Sequence, residues 1–290
     1  MKGRSVSVTF ETPLADAFMP SFATLDLVGA PDPFDSHIQT RGGTWLGGYL
    51  YDSLGHRIQM LFEVLATEPD TVIRKAPTPL LADEQLLPTK IGGTPDIIWM
   101  LGWRGDPSDI PICHIDPVTF ELQRVHDFGL TYVYWGSDVA GDLDRLWISE
   151  ALGEEPVLGS GALHKIDAHT FYIIDTLQLE RRIYAITGTI DVLWSVDTSG
   201  AVGDVYMLSE RDPDSMETIR SIRFAGPGTA RPDEIIQHIG GGVDYLYVLT
   251  FRSGTVAFPH HLYVLDPYDC AISRHFTWNM GPVPYSIAGI

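Results

Sequence analysis

Asparagine is all but missing from this chain of 290 residues: Asn279 is the single one, and Met-Gly follows it, so no N-glycosylation acceptor exists. Cysteine is nearly as scarce. Cys113 and Cys270 lie far apart in the sequence, and two free thiols are the expectation, as in a reducing compartment. Basic residues are few, 19 Lys and Arg against 38 Asp and Glu, a formal charge of −19. That excess disfavours sequence-independent binding to nucleic acid, which depends on cations neutralising phosphates. No apolar run approaches the roughly 20 residues of a membrane-spanning helix, and the opening MKGRSVSVTF has no apolar segment of the signal-peptide kind. Helical periodicity is absent as well, and so is any HExxH or related zinc spacing among the ten histidines.

What the chain has in quantity is turn chemistry and aromatic residues, with 28 Gly, 20 Pro and 11% Phe, Trp and Tyr. A triplet closing on glycine recurs as Arg41-Gly42-Gly43, Ile91-Gly92-Gly93, Val139-Ala140-Gly141, Ile186-Thr187-Gly188, Ile239-Gly240-Gly241 and Ile287-Ala288-Gly289. Successive final glycines are 50, 48, 47, 53 and 48 residues apart. A fixed period of this length marks an array whose units bury their faces only against neighbours. Three residues past the glycine, Asp96, Asp144, Asp191 and Asp244 open apolar runs carrying Trp99, Trp147, Trp194 and Tyr247; Leu46 takes that place in the first copy.

About twenty residues later in each unit stands a hairpin signal: Asp116-Pro117-Val118-Thr119, Asp167-Ala168-His169-Thr170, Asp212-Pro213-Asp214-Ser215 and Asp266-Pro267-Tyr268-Asp269, with a looser copy in Glu68-Pro69-Asp70-Thr71. Asp accepts a backbone bond at the first position of a type I turn, and Pro pre-sets φ at the second. Each unit thus reads as four antiparallel strands, the innermost ending in the small-residue pair, which suits crowding beside an axis.

With its glycine triplets and strands such as DYLYVLT and LYVLDPYD, the chain resembles six-bladed propellers of the broad YVTN and NHL-like type. The fold expected is all-β: one domain, residues 1–290, of six four-stranded blades. Their approximate bounds are 37–80, 87–129, 131–180, 182–225 and 234–278. The sixth blade, 282–290, is completed by strands from 1–30, so that the N- and C-terminal strands close the ring in one sheet.

Chemistry is sought first along the axis. The residues three before each repeated glycine are Thr40, Lys90, Asp138, Ala185, His238 and Ser286. Asp138 and His238 could serve as a base and its orienter, with Lys90 stabilising an anion, an arrangement suited to a hydrolase or lyase at the channel mouth. The competing reading, that these side chains bond to backbone and water, is favoured. Propeller lactonases, which the chain resembles in expected blade number, hold a divalent ion with Glu, Asn and Asp oxygens; here only Asp138 supplies a carboxylate in that column, so neither metal nor cofactor is expected. Gly159-Ser160-Gly161, Arg104-Gly105-Asp106 and Glu154-Glu155 read as loop sequences. Trp99, Trp147 and Trp194 recur at one position and read as packing. Trp45, Trp103 and Trp135 lie off the repeat and are the candidates for stacking on a carbohydrate.

The reading that results is a non-catalytic structural or interaction propeller. Its partners would be other protein subunits of an oligomeric assembly, with no nucleic acid and no membrane, in the cytoplasm or in a virion. The architecture also resembles propellers found in tail-nozzle proteins of short-tailed bacterial viruses. An enzyme and a carbohydrate-binding module are the rival readings.

Overall fold

The computed structural model describes residues 5–8, 25–28, 43–51, 57–65, 68–77, 87–94, 96–103, 111–127, 138–151, 160–180, 183–198, 205–252, 260–278 and 286–288. Every regular element among them is a strand. Four blades are continuous in sequence and antiparallel throughout: β6 (Leu87–Thr94) to β9 (Leu122–Asp127) by way of β7 (Ile97–Trp103) and β8 (Pro111–Ile115); β10 (Asp138–Gly141), β11 (Arg145–Ala151), β12 (Gly161–Asp167) and β13 (Ile173–Leu179); β14 (Ile183–Thr189), β15 (Val192–Thr198), β16 (Tyr206–Arg211) and β17 (Thr218–Ala225); and β18 (Glu234–Gly241), β19 (Leu246–Arg252), β20 (His260–Leu265) and β21 (Ile272–Trp278). A fifth four-stranded sheet joins β3 (Gly43–Tyr51), β4 (Arg57–Leu65) and β5 (Glu68–Pro77) to β22 (Ser286–Ala288), which is its innermost strand. The chain is a β-propeller.

The expected count of six blades is therefore corrected to five four-stranded sheets among the described residues. Ile287 pairs with Leu46 of β3, and among the described residues neither β1 nor β2 enters that sheet. The C-terminal segment completes the blade of β3–β5, and among the described residues it opens no sixth. Gly43 of the first triplet begins a second strand, β3, where an inner strand was expected. The N-terminal β1 (Ser5–Val8) and β2 (Leu25–Val28) pair only with each other in a two-stranded sheet, and β2 runs beside β5. Around the axis the inner strands follow the order β6, β10, β14, β18 and β22, and β22 returns to β6.

The cores lie between blades, and the turns after each third strand help build them. In each, the Asp carboxylate accepts backbone N–H groups, such as those of Val118 and Thr119 at Asp116 and of Asp214 and Ser215 at Asp212. The residue at the fifth position, Phe120, Phe171, Met216 or Cys270, takes a left-handed φ of 57° to 61° and donates its N–H to the Asp carbonyl. Such a conformation costs a side-chain-bearing residue about 1–2 kcal/mol. Burial offsets it: Phe171 meets Trp99 of the preceding blade edge-on at 6.0 Å, Met216 joins the core around Trp147, and Cys270 packs against the core of Trp194. The three tryptophans are packing residues, with 2%, 0% and 1% exposure.

A cation of the preceding blade also holds each of three turns from outside. Arg124 donates to the His169 carbonyl, Arg145 and Lys165 reach Asp214, and Arg220 donates to the carbonyls of Pro267 and Tyr268 while paired with Glu210. The Glu210 bond raises the guanidinium pKa of Arg220. Replacing Arg220 with alanine is expected to lower stability by about 1–2 kcal/mol in urea denaturation. Lysine should recover little of that loss, because it cannot present the planar fork that spans two carbonyls.

Candidate functional site

Three inner strands bring together the three axial residues singled out in the sequence. Asp138 and His238 are fully buried, and His238 Nε2 lies 2.9 Å from both oxygens of the Asp138 carboxylate. The nitrogen facing a carboxylate carries the proton, so Nε2–H donates. The same carboxylate accepts the N–H of Val139 at 2.9 Å and, from the next blade, the N–H of Ile186 at 2.8 Å. One side chain thus ties β10 to β14 and, across the ring, to β18. Lys90 of β6 reaches over the axis and donates to the Gln237 carbonyl at 2.9 Å. Nearer the ends of β14 and β18, the Thr187 hydroxyl donates to the Gly241 carbonyl at 2.9 Å.

Lys90 keeps partial solvent contact yet is enclosed by protein, and that burial lowers its pKa against the opposing attraction of Asp138. Between the depressed folded value and the ordinary 10.5, the folded chain binds fewer protons than the unfolded chain, so raising the pH through that window stabilises the fold. The parent protein is therefore expected to gain stability relative to Lys90→Met as the pH rises toward 10.5, read from paired urea titrations. A pH-independent difference would mean that Lys90 titrates normally.

Two buried polar sets were not anticipated. In the blade of β10–β13, His164 bonds Glu150 at 3.0 Å through Nε2 and Thr176 at 3.0 Å through Nδ1. In the blade of β18–β21, Glu234 accepts from Tyr263 at 2.7 Å and from Thr250 at 2.8 Å, while Arg231 lies over both Phe224 and Tyr263. Burial first, and the Glu234 bond second, push the Tyr263 phenol well above its usual pKa. Next to it, His275 stacks on Tyr263 at 4.4 Å, and its Nε2 is 3.1 Å from Nδ1 of His261. The signal for these sets is polar residues interrupting apolar strands, but joining them takes the strand register, which has no fixed spacing.

Of the carbohydrate candidates, Trp45 and Trp103 fall on β3 and β7 with their side chains outside the described part, and Trp135 lies outside the described residues, as does Thr40. Cys113 and Cys270 are free thiols. Among the described residues no group of three or more His, Cys, Asp or Glu side chains is placed to hold a metal ion.

No protein-family model matches the sequence, and no curated protein matches it. Similarity to solved structures is one of fold. Hydrazine synthase of Kuenenia stuttgartiensis aligns with 69% of this chain and 51% of its own at 12% identity and a TM-score of 0.42. A Trp149Ala mutant of the Synechocystis apocarotenoid oxygenase aligns over 84% and 60% at 10% identity, TM-score 0.40. A chain of the mitotic checkpoint complex aligns over 80% and 63% at 10% identity, TM-score 0.39. This chain spans less than two thirds of the length of each of these chains.

Proposed function

We propose that this protein is a non-catalytic interaction propeller, a subunit that presents its turn-bearing surfaces to other proteins of an oligomeric assembly, in the cytoplasm or in a virion. The observation that carries this reading is the use made of Asp138. Both of its oxygens are occupied by two backbone N–H groups and His238. A carboxylate spent on fastening three inner strands acts as a rivet for the ring. The acidic surface, at a net −19, complements basic protein partners and repels nucleic acid and anionic lipid. The test is the native mass together with cross-links: a complex well above the 32.1 kDa of the chain, cross-linked through its turns, is the expected result. A lone chain without cross-linked partners would overturn it.

A hydrolase or lyase is the second reading, favoured by the convergence of Lys90, Asp138 and His238 and by the depressed Lys90 pKa. For such an enzyme, His238→Gln and Lys90→Met would each abolish turnover of an ester or lactone that the parent hydrolyses. In the scaffold, assembly survives both substitutions as long as the ring remains folded.

A further inference from the structure

The turns joining an innermost strand to its neighbour repeat a pattern that the proposed scaffold role does not by itself require. They read Gly141-Asp142-Leu143-Asp144, Gly188-Thr189-Ile190-Asp191 and Gly241-Gly242-Val243-Asp244, and the sequence has the same form in Gly93-Thr94-Pro95-Asp96. In each of the first three the third residue is apolar and stands in solvent, with 48%, 46% and 53% exposure for Leu143, Ile190 and Val243. The Asp that follows is exposed too. Three successive blades thus set an apolar tip and a carboxylate around the axis at one end of the ring.

These tips cannot fold away. Asp142 accepts the N–H groups of Asp144 and Arg145 through one carboxylate oxygen and that of Ile190, on the next blade, through the other. Its carbonyl takes the Trp99 indole N–H from the preceding blade. The Leu143 and Ile190 tips are therefore held in water by bonds from three blades, the Val243 turn is closed by the Gly242 N–H donating to the Tyr245 carbonyl, and the exposure of these tips is a standing cost that a partner can remove at about 25 cal/mol for each Å² covered. The charge around them is one-sided. The turns after each third strand end on the same side, as the contact between His169 and Asp144 shows, and add their own Asp residues. Among the described residues, Arg124, Arg145, Lys165 and Arg220 at this end are engaged with neighbouring turns, and Arg211 is bonded to Asp197 and the Met216 carbonyl.

We infer that this end of the ring docks a cationic segment of a partner protein that also carries apolar side chains. The inference rests on the scaffold reading and adds the face and the chemistry of the partner. A second copy of the chain docked through this same face would set carboxylates against carboxylates, and nucleic acid would meet the same repulsion.

The test uses the intact protein and three short fluorescent peptides: one alternating lysine and leucine, an oligolysine of equal charge, and one alternating glutamate and leucine. Anisotropy titrations should show the lysine-leucine peptide binding at least about tenfold more tightly than oligolysine and the glutamate peptide not binding. Combining Leu143→Ser, Ile190→Ser and Val243→Ser should bring the lysine-leucine peptide down to the oligolysine level. Combining Asp144→Asn, Asp191→Asn and Asp244→Asn should weaken both cationic peptides and flatten their salt dependence. Exposed substitutions of this kind leave folding within about 0.5 kcal/mol, which circular dichroism melting would verify. Unchanged lysine-leucine binding in the serine variant, or equal binding of the glutamate peptide, would overturn the inference. So would concentration-dependent self-association that the serine substitutions abolish, which would assign the face to a second copy. A native complex cross-linked only through the opposite end would defeat this inference while leaving the scaffold reading intact.

Discussion

Replacing Gly92 with alanine is expected to destabilise the protein by on the order of 3–5 kcal/mol, a fall in melting temperature of roughly 6–10 °C for a domain of this size. The cause is a collision between backbones of different blades. A Cβ on Gly92 would stand 2.0 Å from the Val139 carbonyl oxygen and 3.0 Å from the Ala140 Cα, both on the inner strand of the next blade. Neither atom belongs to a side chain that can rotate aside. Relief requires β6 and β10 to separate, and in a closed ring one widened junction strains the others. Differential scanning calorimetry of Gly92→Ala beside the parent measures the effect. A loss under about 0.5 kcal/mol, the ordinary range of a surface change, would mean that the inner strands are not packed at this spacing.

Asp138→Ala is the second substitution of large expected effect. It leaves the N–H groups of Val139 and Ile186 without the carboxylate that receives them and removes the partner of a buried histidine. Breaking such a buried pair on one side costs about 3–5 kcal/mol. Asp138→Asn keeps one acceptor oxygen and should cost less. A double-mutant cycle with His238→Ala isolates the shared contribution, for which a coupling of about 1 kcal/mol or more is expected from urea denaturation. Additive effects of the two substitutions would show that Asp138 acts through the backbone alone.

Much of this architecture is legible in the residues. The glycine triplets place inner strands at a common register, and for that reason Lys90, Asp138 and His238 could be picked out as axial neighbours before their contacts were known. The Asp-initiated turns are equally direct, because their carboxylates bond to N–H groups two and three residues ahead. Blade number was misread for a physical reason. Arg41-Gly42-Gly43 copies the triplet, yet glycine also suits the start of a second strand, and only the pairing of Ile287 with Leu46 decides between the two. The polar sets around Glu150 and Glu234 are not legible in the sequence because the members of each come from three strands, and loop lengths between strands carry no information about register. The left-handed residues Phe120, Phe171 and Met216 escaped for the opposite reason: backbone preference argues for glycine there, and the hydrophobic core overrules it.

Closing the first blade with residues 286–288 also constrains how the molecule is born. About 235 residues separate the end of β3 from β22, so at ribosomal speeds of about 5–20 residues per second the early strands wait roughly ten to fifty seconds with an open edge. Over that interval the nascent arc is a template for unwanted pairing. A co-expressed holdase that covers the open edge should therefore raise the soluble yield of the chain.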